Sequence, residues 1–413
     1  MSVTDQLHRH PLNKAVVIAG LGFFVDAFDL LLFNVLRIPS LRELGFDGDA
    51  LTREGEFLLS MQMLGMIIGG IISGMLGDRR GRVYVLFGSI LLYSLANLAN
   101  AMVQDVHTYS WLRFFAGLGL AGELGAGISL VGESMTIERR GYGTILVATL
   151  GASGAVAAGL AGDLLPWRTT YVVAGSAGLL LLLLRVTALE SGLYNALHTR
   201  QDIRKGSFKV LFASKERSLR YLSFVLIGIP VWYSVGMLVN LTPELARLTG
   251  VEGIGPATCF ILCQIGVVTG DLSSGLLSQR LKTRKQVLLA YLLFAALVAA
   301  LFFLLLGTVN SPWLFKAMAL LLGLGCGYLS VFVTTVAESF GTNLRVTATS
   351  TVTNFMRGAV TLLIPLRIWL SGTFSLSLQD SLAVVGILVF IPALLAALRI
   401  ADSYGKSLDF LED

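Results

Sequence analysis

Five of the ionisable residues inside the long apolar runs of this chain are of types that handle protons or anions. Asp26 and Asp29 are three positions apart in a run that opens near Ala15, Glu123 follows Arg113 in a run that opens near Tyr109, and Arg357 lies within a run that opens near Val346. An ionisable group at mid-bilayer costs on the order of 3 kcal/mol on insertion scales and is usually kept for function. A carboxylate in a cavity can take up and release a proton as its surroundings change, and a buried guanidinium can hold a carboxylate or phosphate through two parallel hydrogen bonds. His8, His10, His107 and His198 all fall in tails, loops or helix edges. The candidate proton sites within the apolar runs are therefore carboxylates. Two plainer roles compete: a first-helix aspartate that pairs with Arg113 or caps a broken helix, and an Arg357 locked to Asp271 or another acid.

These residues need a scaffold that carries them into a bilayer, and the composition supplies one. Apolar residues make up 55% of the chain and charged residues 14%, too little polar surface to cover a water-soluble fold. Apolar windows of about twenty residues, long enough to cross roughly 30 Å of hydrocarbon, begin near Ala15, Phe57, Val83, Tyr109, Tyr142, Tyr171, Tyr221, Gly255, Gln286, Pro312, Val346 and Ser381. The reading is an all-α membrane protein with twelve transmembrane helices. Arg79, Arg80, Arg82, Arg139, Arg140, Arg204, Lys205, Lys282, Arg284 and Arg345 fall in alternate connections, whereas Asp47, Asp49, Glu54, Asp105, Asp163 and Glu252 fall in the others. By the positive-inside rule both termini are cytoplasmic, as suits a bacterial inner membrane. A polar stretch over 190–219 reads as a cytoplasmic linker between an N-terminal six-helix bundle, 1–189, and a C-terminal one, 220–413. The first apolar run is long and carries two aspartates, unlike a cleavable signal peptide.

Several features set other classes aside. The net charge of +5 is spread over short loops and is not gathered on one face, which argues against nucleic acid. Cys259, Cys263 and Cys326 lie in apolar runs without the paired spacing of a zinc site, so neither a metal nor a disulfide framework is expected. No phosphate-binding G-x-x-x-x-G-K-[ST] loop is visible, leaving ion gradients as the energy source and no cofactor or enzymatic role.

The halves echo each other. Gly74-Met-Leu-Gly77-Asp78-Arg79-Arg80-Gly81-Arg82 returns as Gly275-Leu-Leu-Ser278-Gln279-Arg280-Leu-Lys282, and Glu133-Ser134 followed by Arg139-Arg140 returns as Glu338-Ser339 followed by Arg345. The first hairpin resembles the loop between the second and third helices of the major facilitator superfamily. Arg113-Phe-Phe-Ala-Gly117 through Gly122-Glu123-Leu-Gly125 resembles the fourth helix of the metabolite:proton symporters, with Leu124 in place of their tryptophan. Asp26-Ala-Phe28-Asp29-Leu resembles the first helix of both those carriers and the phosphate:proton symporters. Glu338-Ser-Phe-Gly-Thr342-Asn-Leu-Arg345, followed by Asn354 and Arg357, is similar to E-x-F-P-T-x-x-R in the same group.

That resemblance implies two pseudo-symmetric six-helix halves with the transport site between them. It implies proton-coupled symport of a small anion, an organic acid by preference, by a monomer among membrane lipids. Asp29 and Glu123, then Asp26, are the implied proton sites; Arg357 is the anion site, where the phosphate carriers place a lysine. Arg113, Trp232, Tyr233, Asn240 and Asn354 would complete the substrate cavity. Asp78 with Arg82, Glu133 with Arg139 or Arg140, and Glu338 with Arg345 would gate the cytoplasmic side, while Arg367 would only snorkel toward the outer interface. The seventh helix lacks the acid that phosphate carriers place a turn after Trp232, which favours an organic acid. Efflux by a proton antiporter and symport of phosphate or sugar remain alternatives, although the fifth helix, from Gly151 to Gly159, lacks the proline-containing glycine motif of drug antiporters. A cysteine introduced near Lys205 is expected to resist labelling from outside intact cells, and ready labelling there would reverse the orientation.

Overall fold

The computed structural model describes residues 14–80, 82–122, 140–188, 211–309, 311–341, 344–405 and 412. Among them the regular elements are helices: α1 Lys14–Glu43, α2 Gly48–Arg80, α3 Arg82–Asn100, α4 Val106–Leu120, α5 Arg140–Leu164 and α6 Trp167–Ala188 in the first half. The second half comprises α7 Lys215–Tyr233, a π-helical turn Ser234–Val239, α8 Thr242–Leu248, α9 Pro256–Leu281, α10 Lys285–Leu305, α11 Pro312–Cys326, α12 Leu329–Ser339, α13 Arg345–Gly358, α14 Val360–Phe374 and α15 Leu378–Arg399. Three of the rods are broken, namely α7 with its π turn and α8, α11 with α12, and α13 with α14. Seven helical stretches among the described residues are long and apolar enough to cross a bilayer. The outward faces carry large apolar side chains such as Leu304, Trp313 and Leu362, as lipid requires where water would not.

Helix ends are set by local chemistry. The Asp105 carboxylate accepts the Thr108 amide N–H at 2.7 Å and caps α4; that bond holds this exposed carboxyl below the usual range. Ser311 and Ser377 cap α11 and α15 in the same way. The α9–α10 turn is closed by Lys282 in the left-handed region at φ 55°. Beyond α15, Asp402 accepts from the Arg284 amide at 3.0 Å and from the Thr283 hydroxyl. Partial burial pushes the Asp402 carboxyl up, yet these bonds win and hold it below the ordinary carboxylate value. The α11–α12 break is satisfied from another helix: Asp271 of α9 accepts the Ser330 amide at 3.0 Å and its hydroxyl at 3.2 Å. Its charge faces the start of α12, where unpaired N–H groups and the helix dipole favour an anion.

Glycines let the rods approach to backbone distance. A Cβ on Gly117 of α4 would lie 1.9 Å from the Gln62 carbonyl oxygen of α2, and one on Gly65 would lie 2.0 Å from that of Phe114. The second half repeats the arrangement between α9 and α11, where a Cβ on Gly323 would lie 2.0 Å from the Cys263 carbonyl and one on Gly266 would lie 2.2 Å from that of Leu320. Gly65, Gly69 and Gly74 recur as Gly266, Gly270 and Gly275 at one constant offset, so the sequence echo is a duplication of helix contacts. The pairings α2 with α4, α3 with α4 and α3 with α6 likewise recur as α9 with α11, α10 with α11 and α10 with α15. Between halves, α5 packs on α9 and α2 packs on α13 and α14. Gly117→Ala is expected to destabilise the protein by about 1–3 kcal/mol through forced separation of two backbones, read as a lower melting temperature in detergent. Gly74→Ala, at a site with no neighbour among the described residues within 4 Å of the added carbon, should stay within about 0.5 kcal/mol.

Candidate functional site

The interior of the first half is polar at mid-height. Arg113 of α4 is fully buried and donates from Nη2 to Oε1 of Gln62. Its guanidinium lies over the Phe33 ring at 4.9 Å and the Tyr171 ring at 5.8 Å, within the range where ring faces stabilise a cation. Asp29 is fully buried, with the Arg113 charge and the Asn97 amide as polar neighbours. Neither Asp29 oxygen is within hydrogen-bond distance of a donor among the described residues. Above this cluster Tyr109 and Tyr171 share a hydroxyl contact of 2.6 Å. Asp29 and Arg113 thus form a charge couple held inside one half.

Asp26, three residues earlier, faces the other half. It is fully buried and acts electrostatically on Arg357 of α13. The Arg357 guanidinium lies 5.6 Å from the centre of the Trp232 ring of α7, and its Nε and Nη1 have no hydrogen-bond partner among the described residues. Burying such donors unsatisfied costs free energy, so this is an expensive place for a cation with no ligand-binding role. Asn354, one turn before Arg357, donates to the Ala121 carbonyl at 2.9 Å across the halves and to Ser350 within its own helix. The π turn begins directly after Tyr233, and such turns concentrate at functional sites.

Other expected residues fall elsewhere. The Tyr233 hydroxyl donates to the Leu382 carbonyl at 2.7 Å and its ring packs on Phe390, tying α7 to α15. Asn240 lies at the far end of α7, where its carbonyl accepts from Arg37 at 2.9 Å. Arg367 does not snorkel: it is buried and makes a two-bond ion pair with Glu56 of α2, at 3.1 and 2.5 Å. Desolvation explains the difference, because a guanidinium enclosed between α14 and α2 needs a carboxylate more than an apolar stem needs lipid. Among the described residues the ion pair that Glu338 makes is with Arg284, at 3.2 Å, supported by the Ser403 hydroxyl at 2.7 Å. Arg345, expected as its partner, opens α13 with its Nε on the Ala337 carbonyl at 2.9 Å, so geometry gives Glu338 to the hairpin arginine. Asp271, the other partner considered for Arg357, is occupied at the start of α12. Glu123, Glu133 and Arg139 lie outside the described residues, as do the side chains of Asp78, Arg82 and Arg140.

A duplicated bundle of broken and unbroken spanning helices, with buried charges facing each other across the midline, is the build of a membrane carrier. A family model described as Major Facilitator Superfamily matches residues 19–365, and the chain belongs to that superfamily. It is a multi-pass membrane transporter. It is similar to a Bacillus subtilis protein named for niacin/nicotinamide transport, 27% identical over 84% of this chain and 85% of that one. It is also similar to the 3-(3-hydroxy-phenyl)propionate transporter of Escherichia coli, 30% identical over 62% of each chain. Among solved structures, the proton:xylose symporter XylE bound to 6-bromo-6-deoxy-D-glucose aligns over 95% of this chain and 97% of its own, with a TM-score of 0.69 at 15% identity; that likeness is one of fold.

Three residues with buried ion pairs escape a reading of the sequence. Arg37, Glu56 and Glu244 sit close to helix ends, where charge is ordinarily solvated, and their partners are more than two hundred positions away. Local pattern gives them no signal: Glu56 stands just before the run that opens near Phe57, and Arg37 and Glu244 stand at or past the ends of the runs that open near Ala15 and Tyr221. For the inner end, a double-mutant cycle of Glu338→Gln with Arg284→Gln on thermal stability should give a coupling of about 0.5–3 kcal/mol, the range for residues in one ion-pair network. A cycle near zero would return Glu338 to Arg345.

Proposed function

We propose that the chain is a proton-coupled symporter that carries a small organic anion inward by alternating access, with both termini cytoplasmic in a bacterial inner membrane. The observation that carries this reading is Arg357, a buried guanidinium between the halves with two nitrogens, Nε and Nη1, unmatched among the described residues. A substrate carboxylate supplies the acceptors those donors lack, and the Trp232 face beside the guanidinium offers a wall for a flat or apolar body. Both relatives carry names of small ring compounds, niacin/nicotinamide and 3-(3-hydroxy-phenyl)propionate, which supports a carboxylate of that size.

Coupling follows from the two aspartates. When an anion engages Arg357, it competes with Asp26 for the same positive charge. Two carboxylates beside one guanidinium leave an excess negative charge in a low-dielectric cavity, and protonation of Asp26 removes it. Asp29 stands beside Arg113 within the first half. A proton on Asp29 would weaken that couple and bias the first-half helices, so Asp29 links proton occupancy to conformation while Arg113 serves as its counter-charge. Glu123 enters this proposal as a further proton carrier from its place in the sequence.

The test uses purified protein in proteoliposomes, after a thermal-shift screen of small carboxylates, inorganic phosphate and organic cations has identified a ligand. Arg357→Gln should weaken binding of the best carboxylate by about 2–5 kcal/mol, the range for truncating a buried charge partner. Asp29→Asn should abolish accumulation driven by a pH gradient yet retain counterflow exchange, since a permanently neutral carrier still reorients when loaded. Retained pH-driven accumulation in Asp26→Asn, Asp29→Asn and Glu123→Gln alike would remove these groups from coupling. Proton-driven loss of preloaded solute would mark an antiporter instead.

A further inference from the structure

At the end of the bundle away from the start of α1, two ion pairs cross between the halves. Arg37 of α1 donates to Glu244 of α8 at 2.7 Å, and Arg367 of α14 pairs with Glu56 of α2. All four residues are buried, with exposures of 0% for Arg37, 3% for Glu56 and 7% for both Glu244 and Arg367. Glu56 is also within electrostatic reach of Arg37 and Glu244, so the charges join in the order Arg367, Glu56, Arg37, Glu244, a ring open between its two ends. The α2 backbone is shaped for it. A Cβ on Gly55 would lie 2.6 Å from Cδ of Arg37 and 2.9 Å from its Cγ; the bare backbone there receives the arginine stem directly beside the carboxylate of the second pair.

We propose that Arg37, Glu56, Glu244 and Arg367 are the outer gate of the transport path, two latches that must both separate each time the cavity opens to that side. A buried ion pair adds little net stability compared with a well-packed apolar pair, because desolvating the two charges offsets their attraction. Its advantage lies at a boundary that opens. Once the halves part, water solvates each charge and replaces the lost attraction, whereas separated apolar residues would be left exposed to water. Ion pairs across the seam therefore close a dry path and release into a wet one. The latches lie on separate contacts, α1 with α8 and α2 with α14, so each adds its own share to holding the seam closed. At the opposite end the ion pairs Arg284–Glu338 and Arg217–Glu412 each stay within the second half, and hold elements of that half together.

The test reads access without any substrate, so its outcome is independent of what the protein carries or whether protons drive it. The native Cys259, Cys263 and Cys326 are buried and are replaced by alanine. Leu59→Cys then serves as the reporter, because Leu59 lies three residues inward of Glu56 and is 1% exposed. A membrane-impermeant thiol reagent is added outside intact cells. With the ring intact, labelling should be slow. With the ring neutralised by Arg37→Met, Glu56→Gln, Glu244→Gln and Arg367→Met, it should run at least fivefold faster, and Glu244→Gln alone, which removes one charge at constant shape, should move in the same direction. Glu244→Arg should label fast and regain the slow rate when combined with Arg37→Glu. An unchanged rate in Glu244→Gln or in the neutral ring overturns the gate, as does a reversed pair that labels no more slowly than Glu244→Arg alone.

Discussion

A charge inside this bundle has no water to fall back on, and that constraint orders most of the polar structure. Several of the buried ionisable groups are matched in part, and by more than one device. Asp271 faces the start of α12 and accepts its first amides; Arg113 is spread over two aromatic faces and an amide; Arg37 and Arg367 reach carboxylates across the seam. Arg357 is matched least completely, with a carboxylate in electrostatic reach and an indole at its side. In a low-dielectric interior the least satisfied donor is the strongest point of attraction for an incoming anion. The better satisfied charges make the frame, and the least satisfied of them is the proposed anion site.

The duplication supplies the frame twice and the chemistry once. Glycine contacts between α2 and α4 are repeated between α9 and α11 almost atom for atom. Yet Gln62, which bonds Arg113 in the first half, corresponds by the same offset to Cys263, a buried small residue with no such role. The first half therefore contains a polar couple of its own, Asp29 with Arg113. The second half contributes a cation on a broken rod, α13 and α14, at the seam. Symmetric scaffolding positions two unlike functional faces against each other, so a change of charge on one is felt by the other.

Much of this was legible in the residues. The apolar windows locate the described helices closely, because a bilayer fixes both length and hydropathy of a span. The echo of Gly74 in Gly275 announced the repeat. The buried positions of Asp26, Asp29, Arg113 and Arg357 followed from their depth in those windows. What sequence could not give was partnership. Arg367 looked like an interfacial arginine because Glu56 is remote in the chain, and Glu338 looked like the partner of Arg345 because the two are neighbours in sequence. The breaks between α11 and α12 and within the seventh rod were equally hidden, since the group that permits one of them, Asp271, comes from another helix. Pairing of this kind is settled by tertiary approach, which local pattern does not encode.

The hydroxyl stripe of α13 has a consequence for how such a carrier diversifies. Thr349 and Thr353, one turn apart on the face that carries Arg357, each return their proton to the carbonyl one turn earlier, at 2.7 and 2.9 Å, so these two hydroxyls meet their own polar demand within the helix. Replacing one of these threonines by valine or serine alters the polarity or width beside the cation without stranding a partner elsewhere. Most positions in a close-packed membrane bundle lack that freedom. If Arg357 holds the substrate as proposed, selectivity can drift along one face of α13, one side chain at a time, while the glycine contacts and ion pairs that shape the carrier stay as they are.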